Sequence, residues 1–304
     1  MPEAVNSTVR LFADGCLLYT EINSEKDQED LQTDITNLEK WASRWGKRFN
    51  TTKCQILQIK AKHKQFIYKM GGIPLQIVND CLYLGVNISH DLNWKNHISH
   101  ITKKASQTVG FLRRNLRNCP INCRKLAYIS LVRSKLDYAA TVWDPFSISD
   151  IDRLERVQKR AARFITNDYK NSEPGCVTRM LQKLNLPSLQ HRRQQQRLKL
   201  LYKINANQLP AIPPMNFLTP ANQGKRKIKL KTNQDFQETN ILQRQAFNNT
   251  MAFYIPPCIN EKYRNSFFIR TLYDWNALSD SDINTELASA APSAQKTSSV
   301  AGTC

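Results

Sequence analysis

The chain has 304 residues and is strongly basic, since 44 Lys and Arg against 25 Asp and Glu give a formal net charge of +19. This excess favours a polyanionic partner, of which nucleic acid is the commonest, although basic charge can also serve only to keep a protein in solution. No apolar run approaches the roughly 18 residues of a membrane helix and no basic-then-apolar leader is present, so we expect neither a membrane span nor a secretory signal.

The eight cysteines form no Cys-x-x-Cys pair, and the five histidines show no ligand spacing relative to them. We therefore expect no structural zinc. Reduced thiols indicate an intracellular setting, in which nucleus and cytoplasm are not distinguished.

The first predicted element is a β-hairpin. Two apolar runs, residues 9–13 and 16–19, flank the pair Asp14-Gly15, and Asp-Gly between short apolar segments is typical of a tight hairpin turn. Such a hairpin places Asp14 at the tip of two buried strands, with its carboxylate pointing away from an apolar floor. A carboxylate in that position can hold Mg²⁺; an ordinary surface hairpin is the alternative.

A helix and further strands follow. Asn23-Ser24 before several acidic residues predicts a helix start, and an apolar stripe at helical spacing continues it; the stripe is Leu31, Ile35, Leu38, Ala42 and Trp45. Three further segments predict strands that complete a small antiparallel sheet under this helix; they are residues 54–59, a hairpin over 66–78 around Gly71-Gly72, and residues 81–88. The two tryptophans of the helix, Trp41 and Trp45, are interpreted as core residues, with base stacking as the alternative.

From Trp94 onward the hydrophobic period becomes helical. The first predicted helix runs from Trp94 and ends before Pro120, the second spans about 122–143 and the third about 150–165. We expect these three helices to form an antiparallel bundle. Two more helices follow at about 176–184 and 188–207. In the second helix we expect Leu126, Ile129, Val132, Leu136, Ala139 and Val142 to face inward.

The predicted exposed faces of these helices are basic. The three- and four-residue steps of Arg153, Arg156, Arg160 and Arg163 place like charges on one side, where they repel unless an anion binds. We predict nucleic-acid contacts for this ridge and its neighbours, with a merely solvated face as the alternative. The predicted contact residues are Arg113, Arg114, Arg117, Arg124, Lys125, Arg153, Arg156, Arg160, Arg163, Arg192 and Arg193.

The chain changes character after residue 209. Prolines interrupt regular structure over 210–220, and a basic run at 225–231 indicates a mobile segment. A short ordered piece over 267–278 is expected to dock back through Phe267, Phe268, Leu272 and Trp275. Ser, Ala and Thr dominate from residue 279, which predicts a disordered tail.

Several blocks in a fixed order carry a family resemblance. They include Phe12-Ala13-Asp14-Gly15, Tyr83-Leu84-Gly85-Val86, Leu154-Glu155-Arg156-Val157-Gln158 and Asp274-Trp275-Asn276. Over roughly residues 9–279 the chain resembles the reverse transcriptases of LINE-type (non-LTR, jockey-like) retrotransposons, whose active-site hairpin reads Phe-Ala-Asp-Asp. Here Gly15 stands where that family has its second aspartate.

The resemblance implies an α+β fold, in which a small antiparallel sheet with one packed helix precedes a mostly α-helical bundle and a disordered tail. Residues 1–90 correspond to a partial polymerase palm with the remnant of the catalytic hairpin, and 91–207 to a basic thumb-like helical region. Residues 208–278 are a loosely structured extension and 279–304 the tail.

The resemblance also implies roles. Asp14 is a weak remnant metal ligand, Tyr83 and Gly85 are candidate primer-holding residues, and Mg²⁺ is the family cofactor, which we expect not to bind here. The expected partners are RNA and DNA, namely the element transcript and its target DNA, with no membrane partner.

The earlier palm strand, the fingers and the endonuclease of the full-length protein are expected to be missing. We therefore expect a C-terminal fragment of an RNA-directed DNA polymerase that is inactive alone but retains nucleic-acid binding. The alternative is a stand-alone helical module that binds nucleic acid or another protein.

Overall fold

Strands dominate the first part of the chain and helices the rest. In the computed structural model, which describes residues 5–59, 66–221, 249–258 and 260–283, the chain divides into two units, 1–100 and 101–304. Strands occur between Thr8 and Ser89 of the described residues, and helices follow from Lys95. This mixture confirms the predicted α+β class.

The strands are short and pair two by two. They are β1 Thr8–Phe12, β2 Gly15–Tyr19, β3 Gln55–Leu57, β4 Lys69–Met70, β5 Ile73–Pro74, β6 Gln76–Val78, β7 Asp80–Tyr83 and β8 Val86–Ser89. The pairs β1–β2 and β4–β5 are antiparallel hairpins, as predicted. The segment 81–88, predicted as one strand, is instead part of the antiparallel hairpin β7–β8, because the chain turns at Leu84-Gly85. The pair β3–β6 differs, because it is parallel with Gln55 opposite Gln76. The β4–β5 hairpin stands between these two strands in the sequence.

The first helix packs on this strand region. Helix α1, Glu25–Arg44, begins at Ser24, whose side chain and Asp27 form a reciprocal capping box that satisfies two otherwise free N–H groups. Ile35 belongs to a buried cluster with Tyr68, Met70 and Leu75, which confirms that the predicted helix covers the strands.

The apolar stripe of α1 stops earlier than predicted. Ile35, Leu38 and Ala42 are buried. Trp45 lies just beyond the last helical residue and is 66% exposed, so its interpretation as a core residue is wrong.

The remaining helices are α2 Lys95–Asn115, α3 Ile121–Tyr128, α4 Ser134–Asp137, α5 Ala140–Trp143, α6 Ile148–Thr166, α7 Cys176–Lys183, α8 Leu189–Asn205, α9 Glu261–Arg264, α10 Phe267–Asn276 and α11 Asp280–Asp282. The predicted second helix of the bundle corresponds to α3, α4 and α5. Within the described part of the chain, no helix combines the length and the apolar character that crossing a membrane requires.

The prediction of one continuous helix over 122–143 is wrong. A π-helical turn, Ile129–Arg133, separates α3 from α4, and Ala139 adopts a left-handed conformation with φ of 50° before α5. Both features rotate the following residues away from the register of an uninterrupted helix. As a result Val142, predicted to face inward, is 55% exposed. Leu126 precedes both features and is 65% exposed, because Arg124 and Tyr128 are the buried residues of α3.

The predicted docking of residues 267–278 is confirmed. Helix α10 shares a buried cluster with α8, in which Leu272 and Trp275 meet Leu198 and Leu201. The short helix α11 and the buried Ile283 fall in the range predicted as a disordered tail, so that prediction does not hold for residues 279–283. The basic run at 225–231 and the rest of the predicted tail lie outside the described residues.

Candidate nucleic-acid interface

Asp14 lies at the tip of the first hairpin, as predicted, but the turn differs. Phe12 pairs with Gly15, so the two turn residues are Ala13 and Asp14 rather than Asp14 and Gly15. The left-handed conformation falls on Ala13, whose φ is 50°. That conformation costs an alanine about 1–2 kcal/mol.

The predicted apolar floor beneath Asp14 is absent from the hairpin itself. Leu11 and Phe12 are 52% and 62% exposed, so the prediction of two buried strands is wrong for β1. Across the described ranges, no three His, Cys, Asp or Glu side chains come together to hold a metal ion. Mg²⁺ requires several oxygen ligands in a near-octahedral arrangement, so one exposed carboxylate does not fit a two-metal catalytic centre.

Tyr83 and Gly85 lie at another hairpin tip. Tyr83 ends β7 and pairs with Val86, and the turn between them is Leu84-Gly85. Both turn residues have positive φ, 47° and 79°. The glycine is therefore explained by the left-handed turn, and primer holding stays a prediction for both residues.

The predicted basic residues separate into an exposed set and a paired set. The exposed ones are Arg113, Arg114 and Arg117 at the end of α2 and just beyond it, and Arg156 and Arg160 on α6; Lys125 is half-buried. Arg156 and Arg160 are joined on the surface of α6 by Lys159. We call Arg156, Lys159 and Arg160 the α6 ridge.

Two arginines predicted for the ridge bind their own chain. Arg153 lies 3.4 Å from the carboxylate of Asp150, one turn earlier. Arg163 donates to the main-chain oxygens of Asp168 and Asn171, at 3.3 and 2.9 Å, and so fixes the loop after α6.

Arg192 and Arg193 on α8 are also paired. Arg192 donates twice to one oxygen of Asp137, at 2.6 and 3.2 Å. Arg193 is fully buried and donates from Nε to Oδ1 of Asp144 at 2.6 Å. The prediction of an exposed basic face is therefore wrong at Arg193, because a side chain with no exposed surface cannot reach a phosphate backbone.

Asp144 collects three arginines. Besides Arg193, Arg197 brings its Nε to 2.8 Å from Oδ2, a close charge contact in which the N–H is not aligned for a hydrogen bond. Arg270 of α10 lies 3.4 Å from the same oxygen and donates to the main-chain oxygen of Asp144 at 3.2 Å. Arg197 also pairs with Asp274 at 2.9 Å. These five residues are here called the Asp144 cluster.

One pocket brings four of the predicted arginines together. Its volume is about 420 Å³, and no carboxylate lines it. It lies between the end of α2, the start of α3 and the end of α6. The lining residues are Arg113, Arg114, Arg117, Arg124, Phe164, Asn167 and Tyr169. We call it the arginine pocket.

The arginine pocket has an exposed rim and a buried wall. Arg113, Arg114 and Arg117 are exposed, whereas Arg124 is only 8% exposed and its Nε is buried without a hydrogen-bond partner. The prediction that Arg124 lies on an exposed face is therefore wrong. At the rim, Cζ of Arg113 lies 4.3 Å from the ring centroid of Tyr169, a cation–π contact that holds the guanidinium in place.

Sequence reasoning did not find Phe164, Asn167 and Tyr169 as part of this site. Phe164 carries only the signal of a core residue at helical spacing, and Asn167 ends α6 with φ of 56°. Tyr169 reaches the pocket only because the loop after α6 folds back, so no spacing in the sequence indicates it.

Comparisons with known proteins agree with the resemblance. Over 137 residues the chain is 28% identical to the 115 kDa protein of the type-1 retrotransposable element R1DM of Drosophila melanogaster, covering 43% of the chain and 13% of that protein. It is 26% identical over 175 residues to a protein named as the RNA-directed DNA polymerase from transposon BS of the same organism, with coverage of 55% and 19%. A corresponding protein from transposon X-element is 23% identical over 166 residues, with coverage of 53% and 18%.

These similarities confirm the resemblance to non-LTR retrotransposon reverse transcriptases for about half of the chain. The chain spans less than a fifth of the length of each of these relatives. No protein-family model matches the chain, and no solved structure matches it.

Proposed function

We propose that the chain is a part of a retrotransposon RNA-directed DNA polymerase that binds nucleic acid through its second unit and does not polymerise by itself. The observation that carries the binding proposal is the arginine pocket, where four cationic side chains meet without a lining carboxylate. Side chains of one sign repel one another, and a phosphate backbone would offset that repulsion.

The α6 ridge continues this basic surface. Arg156, Arg160 and Phe164 follow each other at four-residue steps, which keeps them near one side of the helix. Phe164 lines the pocket, and Arg160 precedes it by about 6 Å along the helix axis. The ridge and the pocket therefore offer a strand successive positive charges along one helix.

The proposed inactivity rests on the first hairpin. The relatives named as polymerases support an ancestral phosphodiester-forming centre, in which two metal ions would be held by several carboxylates. At the tip of this hairpin stands the single carboxylate of Asp14, with Gly15 beside it.

Binding is tested by fluorescence anisotropy with a labelled single-stranded RNA and a DNA of the same sequence, at several salt concentrations. We expect affinity to fall as salt rises, because phosphate contacts release counterions. Replacing Arg156 and Arg160 with Gln should weaken binding to both strands and reduce the salt slope by about one per lost contact.

The matched control is Arg44→Gln, which removes one exposed arginine from a helix of the first unit. It should change affinity much less than either ridge substitution. If the ridge substitutions leave RNA and DNA binding unchanged, the chain is better explained as a helical protein-interaction module.

Inactivity is tested by primer extension on an RNA template with Mg²⁺ or Mn²⁺. We expect no template-dependent incorporation. Incorporation that is abolished by Asp14→Ala would show that Asp14 serves a working metal centre, and the proposal of an inactive chain would be wrong.

A further inference from the structure

Arg124 is the feature of the arginine pocket that most needs a partner. The residue is only 8% exposed, and its Nε is buried and makes no hydrogen bond. A buried donor without an acceptor is costly, and more so when it belongs to a charged group. Because this residue lines the pocket, an anionic ligand in the pocket would compensate its buried positive charge.

The helix dipoles account for the arginines at the rim of the pocket but not for Arg124 at its inner wall. Arg113 and Arg114 lie in the last turn of α2, where a cation is stabilised by the negative end of the helix dipole. Arg124 lies near the start of α3, which begins at Ile121, and there the helix end is positive and disfavours a cation. The position of Arg124 is therefore not accounted for by its own helix.

The depth of the pocket distinguishes between kinds of phosphate. An internal phosphodiester carries one negative charge and has a sugar on both sides, so it can lie across the exposed rim. A terminal phosphate monoester carries about −1.5 to −2 charges at neutral pH and has one free end, with which it can enter as far as Arg124. A volume of about 420 Å³ exceeds what a lone phosphate needs and lies within the range of small-ligand pockets, about 300–1,000 Å³.

We propose that the arginine pocket binds the terminal phosphate monoester of a nucleic-acid strand, with Arg124 at its inner wall and Arg113, Arg114 and Arg117 at its rim. The proposal rests on the nucleic-acid binding proposed above and adds recognition of a strand end. The stacked Tyr169 holds Arg113 in a fixed position at the mouth, so less conformational freedom is lost when the phosphate binds.

The test compares two RNA oligonucleotides of one sequence, one with a 5′-monophosphate and one with a 5′-hydroxyl, on the full chain at moderate salt. We expect the phosphorylated strand to bind at least about tenfold more tightly, as charge-assisted hydrogen bonds to a buried arginine imply. Arg124→Gln should abolish this preference. Since Arg124 is buried and its replacement could disturb folding, Arg117→Gln at the exposed rim is the second variant, and it should reduce the preference as well.

The matched control is Arg156→Gln on the α6 ridge. It should weaken both oligonucleotides by the same factor and leave their ratio unchanged. Adenosine monophosphate as a competitor identifies the source of the phosphate, because a strand-end site should prefer the phosphorylated oligonucleotide to the free nucleotide at equal concentration.

The possible outcomes separate this inference from the proposed function. Equal binding of the two oligonucleotides overturns strand-end recognition and leaves nucleic-acid binding standing. If the free nucleotide competes as well as the phosphorylated strand, the pocket is a nucleotide site and the strand-end proposal is wrong. If neither oligonucleotide binds, the proposed function and the strand-end proposal both fail, and thermal stabilisation by adenosine monophosphate that is lost in Arg117→Gln would then assign the pocket to free nucleotides.

Discussion

At the scale of single residues, several polar side chains of the first unit have specific hydrogen-bond partners. Asp34 of α1 is buried and accepts from the main-chain N–H groups of Asn6 and Ser7, at 3.0 and 2.8 Å. Gln32 accepts from the N–H of Lys69 at 2.7 Å and donates to its carbonyl oxygen at 2.9 Å, which attaches β4 to α1. These hydrogen bonds fix residues 6–7 and strand β4 in position against α1, which non-directional hydrophobic packing alone would not do.

His97 makes a comparable contact that depends on pH. Its Nδ1 accepts from the main-chain N–H of Asn87 at 3.2 Å, and its side chain is 2% exposed. Burial, with a smaller effect of His100, lowers the pKa of His97 to about 4, whereas the pKa of an unfolded histidine is about 6.5. Between these values the unfolded chain binds the additional proton, so the free energy of unfolding rises with pH.

We therefore expect the first unit to lose roughly 2 kcal/mol of stability between pH 7.5 and 5 through this one histidine. NMR titration of the His97 ring should give an apparent pKa near 4, and the Asn87 amide should exchange faster below pH 5. His97→Asn keeps an acceptor near Nδ1 without a titrating ring, so its stability should depend less on pH. A measured pKa near 6.5 would contradict the burial argument.

At the scale of elements, the chain from Ile121 to Trp143 shows how local geometry overrides hydrophobic periodicity. The π-helical turn and the left-handed Ala139 interrupt the helix between α3 and α5. Trp143 is completely buried and donates from Nε1 to the carbonyl oxygen of Tyr138 at 2.9 Å. The indole contact spans Ala139, and we infer that it fixes the break in the helix.

Replacing Ala139 with glycine should stabilise the second unit by about 1 kcal/mol, because glycine adopts positive φ without the clash of a Cβ atom. Urea unfolding of the full chain measures the change. The control is Ala127→Gly inside α3, which should destabilise by roughly 1 kcal/mol through the lower helix propensity of glycine. If both substitutions destabilise equally, Ala139 is not strained in solution.

The sequence predicts most helices and hairpins because their signals are local. Ser24 with Asp27, Gly71 with Gly72, and the apolar spacing of α6 each act over a few residues. The break at Ala139 is not predictable in this way, since alanine is a strong helix former and its conformation depends on tertiary contacts.

The same distinction applies to the candidate site. The basic composition predicts that arginines contact nucleic acid, and the structure places Arg113, Arg114, Arg117 and Arg124 in one pocket. The composition does not reveal that Arg193 is buried against Asp144, because the partner is 49 residues away in sequence. Nor does it separate Arg163, which holds a loop, from Arg160, which is exposed.

At the scale of the whole molecule, the large positive charge is not uniformly available to a partner. The Asp144 cluster places Arg193 and Arg197 in the interior, where they are 0% and 3% exposed. Three arginines face the two carboxylates of Asp144 and Asp274 there. Part of the basic composition therefore serves the core of the second unit, whereas the rim of the arginine pocket and the α6 ridge carry part of the charge that is exposed.

Asp144→Asn tests how much the Asp144 cluster contributes to the stability of the second unit. Removing one partner of a buried ion pair leaves uncompensated charge inside, so we expect a loss of about 3–5 kcal/mol in the free energy of unfolding. Urea titration of the full chain, followed by tryptophan fluorescence, measures it. Glu173→Gln is the control, because its pair with Arg179 is exposed on both sides and should contribute about 1 kcal/mol or less. Equal effects of the two substitutions would contradict the central role of Asp144.

The Asp144 cluster also limits where the chain can be cut. Helix α8 ends at Asn205, and a fragment that stops shortly after it would keep Arg197 but lose Asp274, Arg270 and the buried Trp275. Its newly bared apolar face would favour aggregation. A stable proteolytic core of the second unit must therefore retain α10, either on the same polypeptide or as a nicked segment that stays bound after the intervening chain has been cleaved.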